Sequence, residues 1–121
     1  MIGRRRHRRG TDRGMVTAEF AVALPALMLL LGFSLGAVGA TMDKLRCVDA
    51  ARVAALDASR GGDGVAAGRA EAPSGATVTL TTVGGEVRAT VTVRTRPLGS
   101  HLPGVIVIGT ATATLEPGLV P

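Results

Sequence analysis

Glu19 is the side chain of this 121-residue chain whose position asks most of chemistry. It stands at the mouth of a 23-residue run, Phe20 to Met42, that carries no formal charge. A carboxylate at the edge of such a run is costly unless a cation meets it. Five residues before it lies Gly14, which closes a stretch holding Arg4, Arg5, Arg6, Arg8, Arg9 and Arg13. Ordinary catalytic chemistry finds little to work with. The two histidines are His7, among the arginines, and His101, in a Pro/Gly-rich segment. Ser59, Ser74 and Ser100 do not combine with them into a nucleophile, base and orienting acid. No clustered His, Cys, Asp and Glu spacing reads as a metal site. The expectation is a non-enzymatic protein without a catalytic residue, metal or cofactor.

Charge is distributed in a way that narrows the class. Residues 1–14 hold six arginines and one acid, Asp12, while the remaining bases and acids balance at eight each. The basic character therefore belongs to the N-terminal segment. A basic cluster by itself is compatible with nucleic acid. This one abuts an apolar run, and the chain has no Trp or Tyr and only Phe20 and Phe33 to stack on bases. A nucleic-acid partner is not expected. Positive residues beside a membrane span belong on the cytoplasmic side.

The elements that position Glu19 follow from periodicity. At 1.5 Å per residue the uncharged run measures about 34 Å as a helix, enough for a hydrocarbon core of about 30 Å. Membrane lipid is thus an expected partner, with a span at about residues 20–42. Pro25 removes one helical hydrogen bond and is expected to kink the helix. Gly32, Gly36 and Ala40 are small residues four apart, a spacing that admits a close helix partner. Beyond the run, Asp43 to Arg60 is rich in Ala, Leu and Arg, so one helix is expected over residues 15–60. Its apolar stripe reads Leu45, Val48, Ala51 or Arg52, Ala55 and Leu56. Gly61-Gly62 is its stop. Cys47, the sole cysteine, has two readings: an exported thiol able to pair with another chain, or a small apolar residue packed on a neighbouring element.

Residues 61–75 read as a flexible Gly/Ala-rich linker with room for one helical turn around Val65 to Ala72. Gly62-Asp63-Gly64-Val65-Ala66-Ala67-Gly68 faintly resembles a phosphate loop but misses its spacing and follows a helix. From residue 76 the period becomes two. Gly84-Gly85 makes a tight hairpin that sets Val83 opposite Glu86, Thr82 opposite Val87, Leu80 opposite Ala89 and Val78 opposite Val91. A third strand, Val105 to Leu115, follows the loop Pro97 to Gly104, with Ile106 and Ile108 pointing away from the core. The fold class is α+β: a long N-terminal helix, then a small antiparallel β domain of about three strands over residues 76–121.

The segment Arg13-Gly14-Met15-Val16-Thr17-Ala18-Glu19-Phe20 resembles a type IV prepilin, in which a basic leader ends in Gly and the new N-terminus has Glu as its fifth residue. The peptide Glu19-Phe20-Ala21-Val22-Ala23-Leu24-Pro25-Ala26-Leu27 further resembles the TadE-like minor pilins of tight-adherence (Tad, or Flp) pilus systems. The likeness is close over residues 11 to 60 and an outline beyond. It implies a pilin-like fold and a prepilin peptidase that removes residues 1–14 by cutting between Gly14 and Met15. Glu19, flanked by Phe20, would pair with the free amine of an adjacent subunit. Implied partners are other pilin or minor-pilin subunits and the inner-membrane pilus assembly platform, in adhesion or secretion. The implied location is the cytoplasmic membrane, single-pass, with the N-terminus inside. Two other readings stay open: a signal-anchored protein tethering a small extracytoplasmic β domain, and a secreted protein cut near Ala37-Val38-Gly39.

Overall fold

A computed structural model describes Gly3 and residues 9–118. Arg4, Arg5, Arg6, His7 and Arg8 of the basic leader lie outside the described residues. The elements are helix α1 (Arg9–Ser59), helix α2 (Gly64–Glu71), and strands β1 (Thr77–Val83), β2 (Glu86–Thr95) and β3 (Val105–Thr114). The architecture is the expected α+β layout, a long apolar helix followed by a three-stranded antiparallel sheet in the order β1-β2-β3. The chain divides into two compact units, Met1–Ser34 and Leu35–Pro121.

In the first unit, every side chain from Asp12 to Ser34 is exposed, including Phe20, Leu24, Leu27, Leu29, Leu30 and Phe33. A helix apolar on all faces needs lipid or protein around it. α1 is long and apolar enough to cross a membrane. It runs on through Pro25, whose ring nitrogen has no hydrogen to offer Ala21.

The second unit is built on the later part of α1. Its buried residues are Cys47, Ala50, Ala51, Ala54, Ala55 and Ser59, with Gly36 buried earlier on the helix. The expected stripe is therefore inside only through Ala51 and Ala55. Leu45 and Leu56 are exposed at 56% and 43%, and Val48 is half-buried. The reason lies on the sheet. A Cβ at Gly109 would run into the backbone of Cys47, so strand and helix approach main chain to main chain. Only small residues fit beneath that approach, and the leucines are turned out.

α2 uses the same device. A Cβ at Gly68 would lie 2.8 Å from Ala54 Cβ and 3.1 Å from Val78 Cγ1, and one at Gly64 would strike the Ala54 carbonyl. Gly64 and Gly68 thus form a four-residue pair that packs on Ala50, Ala54 and Ala58 of α1. The linker expected over residues 61–75 is in fact half helix. Asp63 caps it by accepting a hydrogen bond from the Ala66 amide at 3.1 Å, worth about 1 kcal/mol.

α1 ends where Gly61-Gly62 said it would. Gly61 adopts φ 82°, its amide donates to Ala58 O at 3.1 Å, and the Gly62 amide donates to Asp57 O at 2.9 Å. This pair closes the helix as a Schellman motif. The hairpin register is the expected one, from Val83↔Glu86 to Val78↔Val91, with Gly84 and Gly85 both at positive φ. β3 pairs with β2 from Glu86↔Thr114 to Thr95↔Val105. Val78, Val87, Ala89, Val91, Val93 and Val107 are buried, whereas Ile106 and Ile108 are exposed on the outer face with the threonines. Val105, the first residue of β3, is 52% exposed although the alternation puts it on the same face as Val107.

The close approach at Gly109 generates a stability test. Gly109→Ala should destabilise the second unit by about 1–3 kcal/mol, the usual range for an overpacked core. Thr110→Ser, on the exposed face, should stay within about 0.5 kcal/mol. Denaturant unfolding of the detergent-solubilised full chain, followed by circular dichroism, checks both.

Candidate functional site

Gly14, Met15, Glu19 and Phe20 all lie on α1, which begins at Arg9, six residues before Met15. The helix extends back because Asp12 occupies its first turn, where a negative charge complements the helix dipole. The Thr17 hydroxyl donates to the Arg13 carbonyl at 2.9 Å. The Gly14–Met15 bond is therefore held in helical form, not extended. A peptidase that needs an extended strand there must first unwind this turn. Nothing stands within 4 Å of where a Gly14 Cβ would be, and Met15 is 71% exposed, so access is open.

Glu19 is exposed. Among the described residues the ion pairs are Arg52–Asp49 at 3.9 Å and Arg60–Glu116 at 3.7 Å, and neither includes it. Both pairs are mostly solvent-exposed, and such pairs add about 0–1 kcal/mol. Glu19 thus stands without an ion-pair partner among the described residues, beside Phe20, itself 62% exposed, at the start of the apolar stretch.

The small residues read as a helix-packing site separate into two kinds. A Cβ on Gly32 would meet open space, and the same holds for Gly39. Gly36 is already occupied by the chain itself: a Cβ there would lie 3.1 Å from Pro97 Cβ and 3.4 Å from Leu98 Cδ2. Ala40 is half-buried. Gly36 therefore serves intramolecular packing. The small-residue crossing that joins two helices of this fold is the missed one, Gly64/Gly68 on Ala50/Ala54/Ala58. Its signal was present as four-residue spacing on both segments, hidden by the linker-like composition.

Cys47 is fully buried and belongs to the core with Ala50, Val91 and Val107. Of its two readings the structure gives packing. An intermolecular disulfide would require exposing a side chain that the core covers completely. Burial raises the thiol pKa, the nearby Asp43 carboxylate raises it further, and Lys44 offsets part of this. Asp43 itself accepts a hydrogen bond from the Thr95 hydroxyl at 2.5 Å, and the Lys44 ammonium donates to the Ile108 carbonyl. These two bonds pin the end of β2 and the Ile108 position of β3 to α1 just past the uncharged run. At the other end the Glu116 amide donates to Ser59 O at 3.1 Å.

Among the described residues no three His, Cys, Asp or Glu side chains gather to hold a metal ion. A shallow cavity of about 170 Å³ on the hairpin is lined by Thr81, Val83, Glu86, Arg88 and Thr112, without a nucleophile and base in reach of one another. His101 is exposed in the β2–β3 loop.

Comparison with known proteins returns no relative: no family model, no curated protein and no solved structure matches the chain.

Cys47 gives this arrangement a chemical readout. In the folded chain the thiol should react with maleimide far more slowly than in denaturant, because thiolate is scarce and the sulfur is covered. Oxidation of the folded protein should leave it monomeric on non-reducing gels. Rapid native labelling would show that Cys47 is reached from solvent.

Proposed function

We propose that this chain is a prepilin-like subunit of the TadE minor-pilin type, contributing to assembly of a Tad or related type IV pilus or secretion system. The observation that carries the reading is that one helix, α1, does two jobs. Its early part presents an exposed apolar stretch with Glu19 at the mouth, and its later part supplies the buried stripe on which the sheet folds. In this reading a prepilin peptidase removes residues 1–14, and the Met15 amine of one subunit meets Glu19 of the next. The apolar stretch rests in the inner membrane until the assembly platform passes the subunit to other pilins. The β domain then lies outside the cytoplasm.

A second reading has one observation in its favour. The Gly14–Met15 bond sits inside α1, as it would in an uncut signal anchor that tethers the β domain for binding or regulation. The mature N-terminus separates the two. Co-expression with a prepilin peptidase should give a chain that starts at Met15 by mass spectrometry, and Gly14→Leu should block the cut. A start at Met1 with active peptidase would favour the anchor.

The role of Glu19 is tested on the cleaved chain. Glu19→Gln should insert into the membrane at least as well as the parent, since it removes a charge that insertion disfavours. It should lose co-purification with partner pilins, because half of a desolvated ion pair is gone, a loss of about 3–5 kcal/mol when fully buried. Glu19→Asp, with the charge kept and the reach shortened, should fall between. Parental co-purification by the Gln variant would remove Glu19 from assembly.

A further inference from the structure

The β2–β3 loop touches α1 at an unexpected height. Pro97 and Leu98 lie against Gly36, and Gly36 stands six residues inside the uncharged run, which ends at Met42. Six residues of helix amount to about 9 Å. If the run spans a bilayer to its last uncharged residue, the loop cannot remain in bulk water. It must enter the lipid interface alongside the helix.

The composition of the loop agrees with that depth. Leu98 and Leu102 are exposed at 41% and 49%, Leu98 with one edge against Gly36. The backbone is folded on itself, with the Gly99 amide donating to Arg96 O at 3.2 Å and the Leu102 amide to Gly99 O at 3.4 Å. Two of its polar groups are thus satisfied locally, as entry into a poorly hydrated layer demands. Exposed cations stand near the level where the run ends: Arg94 at the end of β2, with its side chain against Gly104, Arg96 at the loop entrance, and Lys44 and Arg46 on α1 just past Met42. The acid at this level, Asp43, is engaged by Thr95. Apolar tips with a cationic collar match an anionic phospholipid surface.

We infer that the loop Pro97–Gly104 is a membrane-interface anchor, with Leu98 and Leu102 inserted among the lipids of the leaflet on the β-domain side and the cations at its headgroups. The inference rests on α1 spanning the membrane, and it goes beyond pilus assembly in giving the β domain a defined seat on the bilayer. Gly36 is then small so that the loop can lie flat against the helix as it enters. The opposite end of the sheet, the Gly84-Gly85 turn, is carried away from the surface by the ten residues of β2, about 30 Å of extended chain.

The chain contains no tryptophan, so single substitutions report without background. Leu98→Trp and Leu102→Trp are introduced one at a time into the full chain and reconstituted in phosphatidylethanolamine/phosphatidylglycerol vesicles. Two references accompany them: Val83→Trp at the hairpin tip and Leu29→Trp in the apolar stretch. Both loop reporters should shift to the blue, lose emission to lipid brominated on the upper acyl carbons, and resist iodide. Val83→Trp should do the opposite. Loop reporters that behave like Val83→Trp while Leu29→Trp is quenched by lipid overturn the anchor and leave the span standing. A Leu29→Trp that lipid does not quench overturns both. Combining Arg94→Glu and Arg96→Glu with Leu102→Trp should reduce the lipid quenching, and unchanged quenching would remove the two arginines from headgroup contact.

Discussion

Main chain meets main chain where Gly109 of β3 lies on Cys47 of α1, and the second unit is organised around that contact. A sheet held this close to a helix leaves no room for leucine beneath it. The core is accordingly made of alanines, one cysteine and valines, with Val91 and Cys47 the largest side chains fully enclosed. Each such side chain buries little area, so the gain per residue is small, about 0.8 kcal/mol per methylene. Shape must compensate for bulk. The Gly64/Gly68 pair extends the same principle to α2, whose glycine face meets Ala50, Ala54 and Ala58 of α1 and Val78 of β1.

A core of small side chains has a consequence for the larger ones. Leu45 and Leu56 on α1, and Ile106 and Ile108 on β3, remain exposed, although they are among the bulkiest apolar residues of this unit. Their distribution fits a subunit meant to be surrounded, because single exposed apolar residues are ordinary but a domain that turns its leucines outward needs a reason. In the first unit the same imbalance is complete, with Phe20, Leu29 and Leu30 all open. For a pilin-like subunit, lipid and neighbouring subunits would supply the missing surroundings in turn. Glu19 at the mouth of the stretch would then decide which neighbour fits.

Much of this was legible from residue types. The uncharged run from Phe20 to Met42, the Gly61-Gly62 stop and the hairpin register each follow from a local rule: hydropathy over a span, left-handed backbone at glycine, and a period of two about a Gly-Gly turn. In each case the residues that carry the signal are the ones that form the structure. The reading of a pilin rests on the same kind of local evidence, the spacing of Gly14 and Glu19 ahead of the run. Asp63 was legible as well, since an aspartate before Gly-Val-Ala-Ala is a helix cap.

Tertiary structure alone decided which face of α1 is inside. Of the expected stripe Leu45, Val48, Ala51, Ala55 and Leu56, the sheet covers the two alanines and leaves the leucines out, and it adds Cys47, Ala50 and Ala54, which hydropathy ranks lower. The choice was made at a distance of some sixty residues, by a glycine in β3 whose lack of a side chain has no meaning until the strand lies against the helix. Gly36 is the same case, since its value appears only when Pro97 and Leu98 fold back onto it. Sequence thus determined the elements, their ends and the pairing of the hairpin, because those depend on neighbours in the chain. Which small residues are contact points was decided by packing, because an absent Cβ acquires its energy only from the atom that takes its place.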